Sequence, residues 1–178
     1  MIVGLTGYKQ SGKSTFAKHV VAFNGARKLR FAEPIVPIMK MLGFTDEQIS
    51  GDKKEVLDTF WNIIPRDLMK LIGITMFRDN FRADVWIKLA KKEIVAYKDT
   101  YDLVIENVRF PNEAELIRIH GGIIIKIDRG LEQNDNSISE TPLPDNLIDF
   151  IITNFNSKEN FKLRVTELWD ELQNRKKQ

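Results

Sequence analysis

The 178-residue chain contains no cysteine, which excludes disulfide bonds, Cys-ligated zinc and thiol catalysis. Histidine is almost as rare. The only two, His19 and His120, fall in helical patterns with no metal-ligand partner at a useful spacing, so we interpret both as structural. A chain without disulfide bonds fits a reducing compartment, and we therefore expect a cytoplasmic protein.

The sequence also lacks a strong charge imbalance and any long apolar run. Lys and Arg number 27 against 25 Asp and Glu, a net charge of +2, whereas nucleic-acid-coating proteins are usually far more basic. The longest apolar run, residues 121–125, has the length of a strand rather than of a membrane span. We expect neither a membrane nor a nucleic acid as a partner, and interpret the basic residues 175–177 as a solvated helix end.

The most informative feature that is present is a G-x-x-x-x-G-K-S run over residues 7–14, directly after a strand-like segment. Gly7 and Gly12 allow a tight turn whose N–H groups point into one concavity at the start of the next helix. Lys13 is expected to reach the β- and γ-phosphates of a nucleotide, and the Ser14 hydroxyl to bind Mg²⁺. The predicted ATP-binding residues of this P-loop are Gly7, Lys9, Ser11, Gly12, Lys13, Ser14 and Thr15.

Strand-like and helical patterns alternate along the chain, which is typical of an α/β fold with a parallel sheet. Five strands are predicted, at residues 2–6, 28–31, 102–106, 123–127 and 149–153. Helices are predicted at 13–23, 34–42 and 65–77, from about 83 and from 111, and at the C-terminus, where Phe161, Val165, Leu168 and Leu172 face inward. We interpret the chain as one domain with a core (about 1–33 and 99–178), a strand-free helical insertion (about 34–98) and a lid loop (about 129–146).

Charged side chains at the predicted carboxyl ends of strands are the candidates for chemistry, because ligands bind there in open α/β sheets. Phosphoryl transfer needs cations and positioning more than covalent help, and Arg109 and Arg129 follow strands three and four. Glu106 ends strand three, where it could hold a water on Mg²⁺ or pair with a surface lysine. Glu113 could orient Arg109 or simply favour the N-terminus of its helix. Trp86 falls on an apolar helix face, as a core residue or as a base-stacking wall.

Five sequence segments, spread over nearly the whole chain, are informative when they are taken together. They are the P-loop; R-F-A-E-P-I at 30–35; P-R-D-L-M-K-L-I-G at 65–73, with Arg78 and Trp86; V-R-F-P-N-E-A-E at 108–115, followed by two glycines; and Ser139-Glu140 with I-T-N at 152–154. Taken in order, they resemble the phage-type deoxynucleoside monophosphate kinases. The P-loop is shared by a whole superfamily, so the run at 108–115 is the sharper signal.

The resemblance implies the nucleoside-monophosphate-kinase fold and transfer of the γ-phosphoryl group of ATP, with Mg²⁺, to a deoxynucleoside 5′-monophosphate. It implies catalytic roles for Lys13, Arg109 and Arg129, with Arg129 at the start of the lid, and places Asn154 near the adenine of ATP. The residues it implies for the acceptor site are Phe31, Arg66, Lys70, Arg78, Trp86, Arg109, Glu113 and Glu140. Relatives also suggest a homodimer, which the pattern itself does not require.

Three residues depart from the family pattern. Asn107 stands where an aspartate is usual, so Glu106 is expected to supply the carboxylate on the magnesium side. Lys70 replaces a common glutamine, and Ser137 a common histidine of the lid. The sequence leaves open which bases are accepted and whether deoxyribose is preferred to ribose.

Two other interpretations of the P-loop remain open from sequence. One is a small-metabolite kinase similar to dephospho-coenzyme A kinase, against which the run at 108–115 favours a nucleotide acceptor. The other is a non-catalytic module that binds ATP as a switch. A GTPase is disfavoured because the sequence has no N-K-x-D motif for guanine.

Overall fold

The computed structural model describes residues 1–130 and 143–176. The chain divides into two compact units, one formed by residues 1–31 and 90–178 and the other by residues 32–89. Among the described residues, no helix combines the length and the apolar character needed to span a lipid bilayer.

The first unit is built on a five-stranded sheet in which every neighbouring pair of strands is parallel. The strands are β1 (Ile2–Thr6), β2 (Arg27–Arg30), β3 (Leu103–Glu106), β4 (Ile123–Asp128) and β5 (Phe150–Thr153), in the order β2-β3-β1-β4-β5. This confirms the predicted α/β fold with a five-stranded parallel sheet. All five residues of β1 are buried, as expected for a central strand covered on both faces.

Helices surround this sheet in the first unit. They are α1 (Lys13–Asn24), α6 (Pro111–Ile119), α7 (Lys158–Lys176) and the C-terminal part of α5 (Val85–Tyr97), with a short 3₁₀ turn at Asp145–Leu147. Gly25 ends α1 in the left-handed conformation, which is the common way for a helix to terminate. The predicted helices from 13 and from 111 are therefore confirmed to within one or two residues.

The edge strand β2 begins and ends one residue before the predicted 28–31. The register pairs Arg27 with Leu103 and Arg30 with Glu106, so the chain leaves the sheet at Phe31. Alternate residues of a strand point to opposite faces. Accordingly, Arg27 places its guanidinium 3.5 Å from the centre of the Tyr97 ring, whereas Arg30 lies on the side of the Glu106 carboxylate.

Helices α1 and α7 contribute buried side chains to the core of the first unit. Phe161, Val165 and Leu172 of α7 are buried as predicted, whereas Leu168 is only partly buried. Trp169, which the apolar pattern did not single out, is fully buried. Its ring meets Phe16 of α1 edge-to-face at 6.4 Å between centroids, a favoured geometry for aromatic pairs.

The second unit is helical and contains no strand of the sheet. It comprises α2 (Ile35–Met41), α3 (Asp46–Ile49), a 3₁₀ turn (Asp52–Glu55), α4 (Pro65–Lys70), a π-helix (Leu71–Asp79) and the start of α5. The two short helices at 46–55 were not predicted, although Thr45 and Gln48 form a capping box that the sequence could have revealed.

The predicted α-helix over 65–77 is wrong in its second half, where the chain forms the π-helix. Gly73 lowers the helix propensity at that point, and its carbonyl accepts a hydrogen bond from Nε1 of Trp86 at 2.8 Å. A side chain that bonds to a helix carbonyl perturbs the regular ladder of backbone hydrogen bonds. The π-helix carries Arg78, one of the predicted acceptor-site residues.

Replacing Trp169 by alanine is expected to lower the free energy of unfolding by roughly 3–5 kcal/mol, because a large buried ring leaves a cavity. Urea unfolding followed by circular dichroism measures this. The control is Leu163→Ala on the same helix, where the side chain is 63% exposed and the expected change is within about 0.5 kcal/mol. Equal losses in the two variants would contradict the assignment of Trp169 to the core.

A second prediction concerns pH. Nε2 of His19 on α1 lies 2.8 Å from Oγ1 of Thr166 on α7, and burial, followed by the charge of Lys162, lowers the pKa of His19. In the unfolded chain His19 keeps its ordinary pKa of about 6.5, so near that pH the unfolded state binds more protons than the folded state. The free energy of unfolding therefore falls as the pH drops through 6.5. His19→Gln should reduce the loss of unfolding free energy between pH 7.5 and 5.5, measured by urea titration. An unchanged pH dependence would contradict this.

Candidate active site

The P-loop forms a concave turn between β1 and α1. Gly7, Gln10 and Gly12 have φ angles of 136°, 64° and 115°, a left-handed sequence that turns backbone N–H groups toward one point. A Cβ on Gly7 would lie 2.5 Å from the carbonyl oxygen of Ile127, and one on Gly12 would lie 2.5 Å from Nδ2 of Asn154. Both positions thus require glycine for two reasons. Their φ angles are positive, and neighbouring atoms already fill the space that a side chain would need.

Lys13 is buried at the start of α1, with its ammonium group folded back over the P-loop. Its Nζ donates hydrogen bonds to the carbonyl oxygens of Gly7 at 2.7 Å and Tyr8 at 2.6 Å. Ser14 is exposed beside it, and Oγ of Ser11 is buried with no hydrogen-bond partner in the described part of the chain. The loop therefore combines a fixed cation, a hydroxyl open to solvent and a concave backbone, which is the arrangement that holds a polyphosphate.

The ends of β4 and β5 fasten the outer side of this loop. Asn154 follows β5, and its Nδ2 donates to the Ser11 carbonyl at 2.7 Å while its backbone N–H donates to the Asp128 carbonyl at 2.7 Å. Arg129 follows β4 and donates from Nη1 to the Gln10 carbonyl at 3.0 Å. Asn154, which by the family resemblance is expected near adenine, holds the P-loop through its side-chain amide.

Glu106, at the end of β3, is almost completely buried. Its Oε2 accepts a hydrogen bond from Nε of Arg30 at 2.8 Å and lies 4.0 Å from Nζ of Lys28. Its Oε1 is buried and has no partner among the described residues. Arg30 was not predicted as the main partner of Glu106, although the cations Lys28 and Arg30 at alternate positions of β2 were a usable signal. The next residue, Asn107, has a φ of 60°, so β3 ends there rather than continuing.

Glu113 caps helix α6. Its buried carboxylate accepts hydrogen bonds from the backbone N–H of Arg109 at 2.8 Å and of Phe110 at 3.2 Å. These bonds satisfy backbone donors that the start of a helix leaves without partners. This agrees with the predicted role of Glu113 at the N-terminus of its helix. They also fix the backbone from which the half-buried Arg109 side chain projects.

The donor set present in the first unit suits Mg²⁺. Within residues 1–130 and 143–176, no three His, Cys, Asp or Glu side chains converge as a metal cluster. Magnesium bound with a nucleotide does not require such a cluster, since phosphate oxygens and water usually complete its shell. The Ser14 hydroxyl and the unpaired Oε1 of Glu106 are hard oxygen donors of the kind that Mg²⁺ prefers.

The remaining predicted acceptor residues fall in several environments. In the second unit, Nη1 of Arg66 donates to Oε1 of Glu55 at 2.5 Å, and Lys70 and Arg78 are half-buried. Trp86 is buried, with its ring centroid 5.3 Å from that of Phe77, which is the geometry of a packed core residue. Phe31, in the first unit, is buried as well. Glu140 and Ser137, with most of the predicted lid, lie outside the described residues.

Comparison with known proteins identifies the family. The family model for deoxynucleotide monophosphate kinase matches residues 42–165 of the chain. The chain belongs to the deoxynucleotide monophosphate kinase family. A protein of Acanthamoeba polyphaga mimivirus that carries the same kinase name is 30% identical over 186 aligned residues, with 96% of each chain covered.

Two phage relatives match over shorter stretches. The deoxynucleoside-5′-monophosphate kinase of Escherichia phage T5 is 26% identical over 75% of this chain and 57% of its own. The deoxynucleotide monophosphate kinase of Enterobacteria phage T4 is 31% identical over 56% of this chain and 42% of its own. These relatives confirm the predicted family and the predicted enzyme class, a kinase that transfers a phosphoryl group to a nucleotide.

Two solved structures with the same fold are much more distant in sequence. Dephospho-CoA kinase from Campylobacter jejuni has a TM-score of 0.52 and 19% identity. A protein of Chloroflexus aurantiacus assigned as a kinase has a TM-score of 0.53 and 14% identity. In each comparison 96% of both chains is covered. Both likenesses show the P-loop kinase fold, and neither bears on the substrate.

Gly12→Ala is expected to weaken ATP binding at least about tenfold, because a methyl group at a left-handed position would collide with Asn154 and distort the phosphate-binding turn. Gly25→Ala is the matched control, since Gly25 also has a positive φ but its Cβ would meet nothing within 4 Å. Calorimetric titration with ATP compares the two variants. Wild-type affinity in Gly12→Ala would show that the turn tolerates a side chain.

Proposed function

We propose that this protein transfers the γ-phosphoryl group of ATP to the 5′-phosphate of a deoxynucleoside monophosphate, producing the diphosphate. The observation that carries the proposal is the buried Lys13 ammonium, held over the concave P-loop by the carbonyl groups of Gly7 and Tyr8. Family membership supports the nucleotide acceptor.

The phosphoryl donor binds at the P-loop. Its phosphate oxygens accept hydrogen bonds from the N–H groups of the turn and a charge-assisted bond from the Lys13 ammonium. Arg129 already reaches the same loop through the Gln10 carbonyl, so its guanidinium is close enough to add positive charge on the donor side. The other residues proposed for this part of the site are Gly7, Lys9, Ser11, Gly12, Ser14 and Thr15. Asn154 supports the loop through its bond to the Ser11 carbonyl.

The acceptor binds on the β3 side of the P-loop. Strand β3 pairs directly with β1, which leads into the P-loop. This pairing supports a role for Arg109, just beyond β3, in holding phosphate charge during transfer. An acceptor phosphate is largely ionised near neutral pH, so its oxygen can attack without a general base. On the strength of the family resemblance, we propose acceptor contacts for Arg66, Lys70, Arg78, Arg109 and Glu140.

Phe31, Trp86 and Glu113 act in this proposal through packing and capping. Each is buried, and Glu113 fixes the backbone of Arg109. A buried residue of this kind sets the shape of an acceptor pocket and the direction of a catalytic side chain.

Mg²⁺, when bound with ATP, would neutralise phosphate charge and orient the donor for in-line transfer. Ser14 and Glu106 are the residues that would hold it or its water molecules. Arg30, bonded to the other carboxylate oxygen of Glu106, keeps that carboxylate at the end of β3.

We also propose a cytoplasmic location and a small-molecule substrate without nucleic acid or membrane partners. The absence of cysteine and the near-neutral charge support this proposal, as does the need for ATP. A homodimer is proposed from the family resemblance alone.

Lys13→Ala should lower kcat by about 100-fold or more while leaving the folded state intact, since it removes a cation that acts on the transferring phosphate. Lys18→Ala, an exposed position on the same helix α1, is the control and should keep wild-type turnover. The measurement is coupled ADP release with ATP and Mg²⁺, using dTMP, dGMP, dCMP and dAMP in turn as acceptors.

The same assay separates the proposed acceptor class from others. Ribonucleoside monophosphates and dephospho-CoA serve as competing acceptors at matched concentrations. Preferred release with one or more deoxynucleotides, lost in Lys13→Ala, is the expected result. Acceptor-independent release, or a clear preference for dephospho-CoA, would refute the proposal.

A further inference from the structure

Phe155 is an exposed aromatic residue at the carboxyl edge of the sheet, immediately after Asn154. Its side chain is 62% exposed, although exposure of a large apolar ring to water is unfavourable. The ring lies beside Gly130, where an added Cβ would be 3.5 Å from Cε1 of Phe155. The ring therefore has a neighbour at Gly130, while most of its surface is exposed.

The neighbours of Phe155 on both sides are tied to the P-loop. Asn154, adjacent in sequence, bonds to the Ser11 carbonyl. Arg129, adjacent to Gly130, bonds to the Gln10 carbonyl. The aromatic ring is thus held one residue from the loop that binds the phosphates. A nucleoside triphosphate extends its base beyond its phosphates, so a ring that directly follows a P-loop-bonded residue is a candidate contact for the base.

Building on the proposed function, we propose that Phe155 stacks on the nucleobase of the phosphoryl donor, and that this face contact rather than hydrogen bonding to the base edge holds the base. Every nucleobase has a π face, and stacking on aromatic side chains is therefore tolerant of base identity. The consequence is a relaxed donor choice, in which ATP and GTP bind with similar affinity.

The hydrogen bonds around Phe155 support recognition by the face. Nδ2 of Asn154 is engaged with Ser11, Oγ of Ser157 accepts a hydrogen bond from the Asn160 N–H, and Arg164 donates to the Thr153 carbonyl. Each of these side chains is hydrogen-bonded to a backbone group of the protein. Asn156, the next residue in the chain, is exposed, which makes it the residue to test for hydrogen bonding to the base edge.

The experiment is calorimetric titration of the full chain with ATP, GTP and inorganic tripolyphosphate. Phe155→Ala should weaken binding of ATP and of GTP by a similar factor of about tenfold or more, the range expected for loss of one stacked base. Tripolyphosphate, which has no base, should bind as it does to the wild type. Phe155→Trp should retain nucleotide affinity, because it preserves an aromatic face.

Two variants serve as controls. Phe23→Ala removes a ring that is 76% exposed on α1 and should change none of the three affinities. Asn156→Ala should leave the ratio of ATP to GTP affinity unchanged. Wild-type affinities in Phe155→Ala, an equal loss of tripolyphosphate binding, or a large shift of the ATP to GTP ratio in Asn156→Ala would each overturn the proposal.

Failure of this inference is distinguishable from failure of the proposed kinase reaction. Stacking is measured by binding without an acceptor, whereas the reaction is measured by ADP release with one. An active kinase whose ATP affinity is the same in Phe155→Ala and in the wild type would refute only the stacking. A protein that binds nucleotides through Phe155 but releases no ADP with any deoxynucleotide would refute only the reaction.

Discussion

The hydrogen bond from the Asn154 amide to the Ser11 carbonyl joins the outermost strand of the sheet to the phosphate-binding loop. The loop contains three residues with positive φ angles, a conformation that an isolated peptide would rarely hold. Strands β4 and β5 supply the external support, through Arg129 on Gln10 and Asn154 on Ser11. The geometry of the P-loop around Lys13 thus depends on strands that lie far along the chain from it.

Charge in the first unit is arranged so that each buried ion has a compensating neighbour. Lys13 is held by two backbone carbonyls, and one oxygen of Glu106 is paired with Arg30. Uncompensated burial of an ion is costly, and the Arg30 bond compensates the Glu106 charge. The second oxygen, Oε1, has no hydrogen-bond partner within residues 1–130 and 143–176.

Much of the fold follows from short-range patterns in the sequence. The apolar runs of β1 and β4 and the glycines of the P-loop specify local structure directly, so these elements were predicted closely. The π-helix at Leu71–Asp79 was not, and the hydrogen bond that Trp86 donates to its Gly73 carbonyl is a tertiary contact outside any local pattern. The full burial of Trp169 likewise depends on Phe16 of another helix. Within the site, residue types and spacing pointed to Lys13 and Arg109, but the actual partners of Asn154 and Glu106 are tertiary contacts that no local pattern encodes.

The position of β1 in the sheet has a consequence for how the protein assembles. The register joins Ile2 to Leu103 and Val3 to Ile123, so both neighbours of the first strand lie more than half of the chain away. Contacts at such sequence separation are entropically costly to close and slow folding. During synthesis on the ribosome, the P-loop emerges well before Asn154, the residue that bonds to its Ser11 carbonyl. The conformation of the loop is therefore completed only when a much later part of the chain has joined the sheet.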